Sequence, residues 1–144
     1  MSKKVIIGSD HAGFALKEVL VRHLESLGYT VSDAGPESAQ SCDYPVFARK
    51  VCDMVLAEEV PGILICGTGI GMSMAANRQP GIRAALCTNE FHARATRQHN
   101  NANVLCLGER VTGPGVAMEL ARIFLETPFE GGRHQRRIDI FEGN

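Results

Sequence analysis

The chain is 144 residues long, with 44% hydrophobic and 22% charged residues, the balance of a globular protein large enough to bury a core. Its net charge of −1 excludes a long-range pull toward nucleic acid or an anionic membrane. No apolar run approaches the ~20 residues of a membrane span, and the opening MSKKVIIGSDHAG has no signal-peptide pattern.

KKVIIGSD (3–10) is a short β-branched run that predicts a first strand ending at Gly8, Ser9 and Asp10. Behind it Leu16, Val19, Leu20, Leu24 and Leu27 recur at helical spacing, with Gly28 as the stop. YTVSDAG (29–35) predicts the second strand, and residues 45–59 a helix with Phe47, Val51, Val55 and Leu56 on its apolar side. GILICG (62–67) is the third strand, followed by a short helix near Met72 to Arg78. IRAALC (82–87) is the fourth, capped by Thr88 or Asn89 into the helix EFHARATRQH (90–99). NVLCLG (103–108) is the fifth, GPGVAMELARIFLET (113–127) a helix with proline near its start, and GGRHQRRIDIF (131–141) a last helix.

Strands this short and this apolar, alternating with helices, predict a parallel sheet covered on both faces. With no repeat, low-complexity segment or linker, residues 1–144 are expected to form one doubly wound α/β domain. In such sheets ligands sit outside the carboxyl ends of the strands. Those ends carry SDH after the first strand, CGTGIG after the third and GER after the fifth, with CDYP in the link after the second. Ser, Asp, His, Cys, Thr and Arg are thereby predicted on one rim.

CGTGIG carries the most chemistry. Glycines at 67, 69 and 71 let backbone approach a ligand and aim N–H groups at it from a helix N-terminus, or simply make a tight turn. The motif departs from the dinucleotide fingerprint, because it follows the third strand and no acidic residue ends the next one; no GxxxxGK[ST] of a nucleoside triphosphatase occurs.

The five cysteines are odd in number and never spaced CxxC, which predicts a reducing cytoplasm with neither a disulfide framework nor a zinc site. Cys87 and Cys106 are expected to be small buried hydrophobes. Cys66 opens the glycine turn and is either another of these or a thiolate stabilised by inward N–H groups, serving as nucleophile or base. Asp10 either caps the following helix or faces a ligand, and His99 lies where a helix dipole alone favours an imidazolium. His23 and His92 are expected to be structural. Arg133 and Arg137 share a helical face beside His134, a basic end that either stays solvated or grips a phosphate.

GSDHAGF, DYP, ILICGTGIGMSMAAN, GIRAAL, RQHNNANVL, LGERV and FEGGRHQRR stand in this order along nearly the whole chain. Together they resemble the type B ribose-5-phosphate isomerases, grouped with allose- and galactose-6-phosphate isomerases. The resemblance implies a Rossmann-like three-layer domain whose parallel sheet has strand order 2-1-3-5-4. It implies a cytoplasmic homodimer, possible as a dimer of dimers, with shared active sites. It also implies interconversion of ribose 5-phosphate and ribulose 5-phosphate, as in the non-oxidative pentose phosphate pathway. On the matching positions Cys66 is the proton-transfer base, and Gly67, Thr68, Gly69, Ile70 and Gly71 hold the enediolate, with Thr68 assisting at the adjacent oxygen. His99 opens the furanose ring with Asn100 beside it. Asp10 and His11 contact sugar and phosphate, Arg110, Arg133 and Arg137 bind phosphate, and Tyr44 packs near the sugar. Members with a glutamate base carry it where this chain has Met72, which places the chain in the cysteine branch. The chemistry needs no metal or other cofactor, and no metal-ligand cluster stands in the sequence. The competing functions are a six-carbon aldose-phosphate isomerase, a non-catalytic phosphometabolite sensor and a thiol hydrolase.

Overall fold

The computed structural model describes residues 3–143, so the first two residues and the last of the predicted domain lie outside the described residues. Strands β1 (Lys4–Ser9), β2 (Thr30–Asp33), β3 (Gly62–Cys66), β4 (Ala84–Leu86) and β5 (Val104–Gly108) form a parallel five-stranded sheet in the order β2-β1-β3-β5-β4, as expected. Helices α1 (Phe14–Ser26), α2 (Tyr44–Glu58), α3 (Ile70–Asn77), α4 (Glu90–Asn100), α5 (Pro114–Glu126) and α6 (Arg133–Glu142) complete the described elements, with a 3₁₀ turn at His11–Gly13. Of the two candidate caps for α4 it is Asn89 that serves, its side chain accepting from the His92 N–H.

Alternation along the strands builds two cores. Val5, Ile7, Ile63, Ile65, Leu105 and Leu107 face α1 and α5, while Ile6, Leu64, Cys66, Val104 and Cys106 face α2 and α3. β1, β3 and β5, paired on both sides, are buried along their length except for Lys4 at the start of β1, whereas the edge strands β2 and β4 are only partly covered. This three-layer arrangement is the predicted α/β architecture.

Three expected core positions sit elsewhere. Leu27 and Leu56 are exposed and Val19 is half-buried. On α1 the buried stripe is instead Leu16, Lys17, Leu20 and Leu24, because Lys17 swings beneath the sheet edge to donate to both oxygens of Asp33, at 2.9 and 2.8 Å. Its ammonium also lies 4.9 Å over the Phe14 ring.

The strand order reverses direction at β1/β3, since the chain leaves β1 toward β2 and then returns across it to β3. At such a switch point the flanking loops diverge and leave a crevice beyond the carboxyl ends. Ser9 pairs with Ile65 in register there, so Asp10 and Cys66 flank the crevice.

Candidate active site

The turn from Cys66 into α3 is shaped by Gly69, which sits at φ 81°, a left-handed conformation that glycine adopts without strain; a Cβ there would also stand 2.5 Å from Leu86. That conformation folds the Gly69 N–H back onto the Cys66 sulfur, which accepts at 3.1 Å. The Thr68 hydroxyl accepts from the Ile70 N–H at 3.2 Å, capping the helix start. The next N–H groups, of Gly71 and Met72, belong to the first turn and have no acceptor within the helix. Cys66 is buried, Thr68 exposed, and Met72 fully buried between α2 and α3, where a glutamate would lie in the apolar core. The thiol thus sits at the wall of the crevice, with unpaired donors and a helix dipole beyond it.

Neighbouring elements supply the other walls. Asp10 is buried, and its carboxylate accepts from the Gly13 N–H at 3.1 Å, so it does cap the turn that follows β1. That turn lies on β3 through the Asp10 N–H, which donates to the Ile65 carbonyl. His11 accepts at Nδ1 from the Cys42 N–H at 3.2 Å, which assigns its proton to Nε2 and leaves that edge as a donor. The N–H groups of Glu109 and Arg110 donate to the carbonyls of Cys66 and Gly67, and the Arg110 guanidinium lies so close over Gly67 that a Cβ there would meet Nη1 at 2.9 Å. The Tyr44 ring, at the start of α2, covers Gly71 in the same way, at 2.8 Å. Asp10, His11, Tyr44, the 66–71 turn and Arg110 are therefore gathered on one rim, as predicted.

His99, Asn100, Arg133 and Arg137 are not on it. α4 leaves the carboxyl end of β4 and runs back along the sheet for 11 residues, about 16 Å. Its last turn reaches the amino edge, where Arg97 lines a groove with Pro61 and Asn103, the residues that lead into β3 and β5. There the His99 ring stacks on that of His134, with centroids 4.6 Å apart and planes 20° apart. Within one chain the length of β3 separates His99 from Cys66. α6 presents Arg133 and Arg137 to solvent beside this pair, while His134 and Ile138 turn inward. Arg110, Arg133 and Arg137 form no salt bridge among the described residues, which leaves their guanidinia available to an anion.

Burial, then the charges of Arg133 and His99, holds His134 below the usual imidazole range, with Arg137 adding to the effect and Glu130 opposing it. Burial also pushes the thiols of Cys52 and Cys87 up to about 12, and that of Cys106 well above its usual value, so these three are inert at neutral pH.

Three structural contributors have weak local signals or none. Glu109 reaches back from the end of β5 to accept the Leu16 N–H at 2.7 Å, capping α1 across the fold. The Cys42 N–H orients His11 from a loop. Glu130 joins His99 and His134 in a cluster that the linear spacing did not display, although Glu130 and His134 are i,i+4. No helix among the described residues is long and apolar enough to cross a membrane.

A family model described as Ribose/Galactose Isomerase matches residues 5–141. Ribose-5-phosphate isomerase B of Escherichia coli is 46% identical over 138 residues, covering 95% of this chain and 93% of that protein. Among solved structures, a ribose 5-phosphate isomerase from Thermotoga maritima superposes with a TM-score of 0.97 at 49% identity over 100% of both chains. A Mycoplasma genitalium ribose-5-phosphate isomerase B, solved with bound ribulose-5-phosphate, gives a TM-score of 0.94 at 45% identity, covering 99% of this chain and 96% of that one. On sequence and fold alike, this chain belongs to the ribose/galactose isomerase family.

Proposed function

We propose that the protein interconverts ribose 5-phosphate and ribulose 5-phosphate in the cytoplasm, using Cys66 as the base. The observation that carries this reading is the buried Cys66 sulfur accepting the Gly69 N–H at 3.1 Å, with further N–H groups of the α3 start beside it. A thiolate there removes the proton from C2 of the open-chain aldose. The negative charge that develops on O1 of the enediolate meets the N–H groups of the 67–71 turn, which need no rearrangement to receive it. Return of the proton to C1, with transfer of the hydroxyl proton from O2 to O1 near Thr68, gives the ketose. Protons alone move, so no cofactor takes part.

The phosphate and the ring-opening step call on residues from the other edge of the sheet. A second copy related by two-fold symmetry would bring its His99, Asn100, Arg133 and Arg137 to the rim that carries Cys66, Asp10, His11 and Arg110. His99 of the partner subunit then acts as general acid on the furanose oxygen, and the unpaired guanidinia hold the phosphate. Exposed Ile70, Met74, Phe91, Ile140 and Phe141 offer apolar surface for that association. Turnover of ribose 5-phosphate, assayed beside allose 6-phosphate and galactose 6-phosphate, tests the function: preference for the pentose supports it, and preference for either hexose or no turnover of any overturns it.

A further inference from the structure

We propose that His99, Glu130 and His134 form a site for a divalent transition ion of the zinc class, and that filling it takes His99 out of use. The inhibitory half rests on the ring-opening role given to His99 above; the binding half stands on geometry alone. The three residues present ligand atoms that all lie within 4.8 Å of one another. His134 Nε2 stands 3.5 Å from a Glu130 carboxylate oxygen. Ligands of a tetrahedral zinc, with bonds of ~2.0–2.1 Å, are about 3.4 Å apart, so this pair already has the required separation. His99 is exposed and stacked on His134, and binding requires its ring to leave that stack by turning about its side-chain bonds, which brings an in-plane nitrogen to the third position.

The scaffold holds the set in place. The Glu130 N–H donates to the Gln98 carbonyl at 3.1 Å, which docks its segment on the end of α4 next to His99. Arg97 ties the same helix end to the Thr127 carbonyl. Gly131 and Gly132 both take positive φ, 68° and 58°, and turn the chain so that Glu130 faces back over His134. Two imidazoles and one carboxylate with a side open to solvent leave a fourth position for water.

The cations nearby decide which ions qualify. Arg133 and Arg137 repel a dication, and Glu130 offsets only one of them. Magnesium and calcium, bound through charge and oxygen ligands, are excluded, whereas zinc, cobalt and nickel gain from bonds to imidazole.

The test is titration with Co²⁺ alone, followed by its visible spectrum, on the full-length wild type, Glu130→Gln and His134→Gln, with Zn²⁺ added to turnover assays. A single ion per chain with imidazole–carboxylate bands, weakened more than about ten-fold in both variants, supports the site. Glu130→Gln should keep wild-type turnover of ribose 5-phosphate and lose its sensitivity to Zn²⁺. Equal affinity in all three proteins, or a thiolate-to-cobalt charge-transfer band, overturns the site. Binding that leaves ribose 5-phosphate turnover untouched overturns the inhibitory half.

Discussion

The N–H of Gly69 donates to the sulfur of Cys66 across the turn between β3 and α3, at 3.1 Å. The sulfur thereby faces the N–H groups at the start of α3, and no other cysteine among the described residues opens onto a helix start in this way. Cys66→Ala should therefore abolish turnover, by about 10³-fold or more given the 10²–10⁴ typical of a general base, while fold and phosphate affinity persist. Circular dichroism and a phosphate competition assay check the persistence. A variant that kept a tenth of the wild-type rate would contradict the assignment.

The same contrast predicts alkylation. Cys52, Cys87 and Cys106 are buried thiols held protonated, and only Cys42 is half-exposed. In a Cys42→Ser background, iodoacetamide should modify Cys66 alone, and saturating sugar phosphate should protect it. Peptide mass mapping that found Cys52 or Cys87 modified first would count against this ordering.

Arg137 has no carboxylate partner among the described residues, and Arg133 lies one turn away on the same face of α6. Arg137→Ala should raise KM about ten- to a hundred-fold, matching ~1.5–3 kcal/mol for a charge-assisted hydrogen bond, with a smaller effect on kcat. An unchanged KM would return this helix face to solvent.

His99 and Cys66 serve different steps if ring opening and proton transfer are distinct. His99→Asn should cripple turnover of ribose 5-phosphate, which is mostly cyclic. It should spare a four-carbon aldose phosphate, whose phosphorylated oxygen cannot close a furanose. Equal losses on both substrates would place His99 in the proton transfer itself.

Lys17 and Asp33 predict an asymmetry in stability. Lys17 is fully buried while Asp33 keeps a side chain about a third exposed. Asp33→Ala removes both short hydrogen bonds of a buried ammonium and leaves it only the Glu18 carboxylate at 3.5 Å, so it should cost ~3 kcal/mol, lowering Tm by roughly 6–12 °C. Lys17→Met preserves the apolar stem and leaves a carboxylate that still accepts from the Gly35 N–H and reaches water, so its cost should be smaller. Equal shifts in thermal unfolding would contradict this account.

What was legible beforehand follows the range of the interactions. The strands, the glycine turn and a cap at Thr88 or Asn89 depend on residues a few positions apart, and spacing exposes them, although only the fold selects Asn89. Asp10 as a cap is a contact with Gly13, three residues on. Lys17 was invisible, because its burial depends on Asp33 arriving from the next strand. The Glu109 cap on α1 joins positions 93 residues apart and exists only once β5 lies near the start of α1. Leu27 and Leu56 fit the helical period yet lie at the margins of their packed faces, where a periodic pattern cannot tell edge from centre. The separation of His99 from Cys66 follows from α4 running antiparallel to the strands, and it agrees with the shared active sites that the resemblance implies.

That separation makes the shared site the central claim, and subunit mixing tests it most directly. Cys66→Ala and His99→Asn are each expected to be inactive on ribose 5-phosphate. When the two exchange subunits at equal concentration, half the dimers are mixed, and each mixed dimer holds one site with both residues intact and one with neither. About a quarter of wild-type activity should return under two-fold symmetry. Mixtures as inactive as the separate variants, with subunit exchange confirmed by mass, would contradict the shared site.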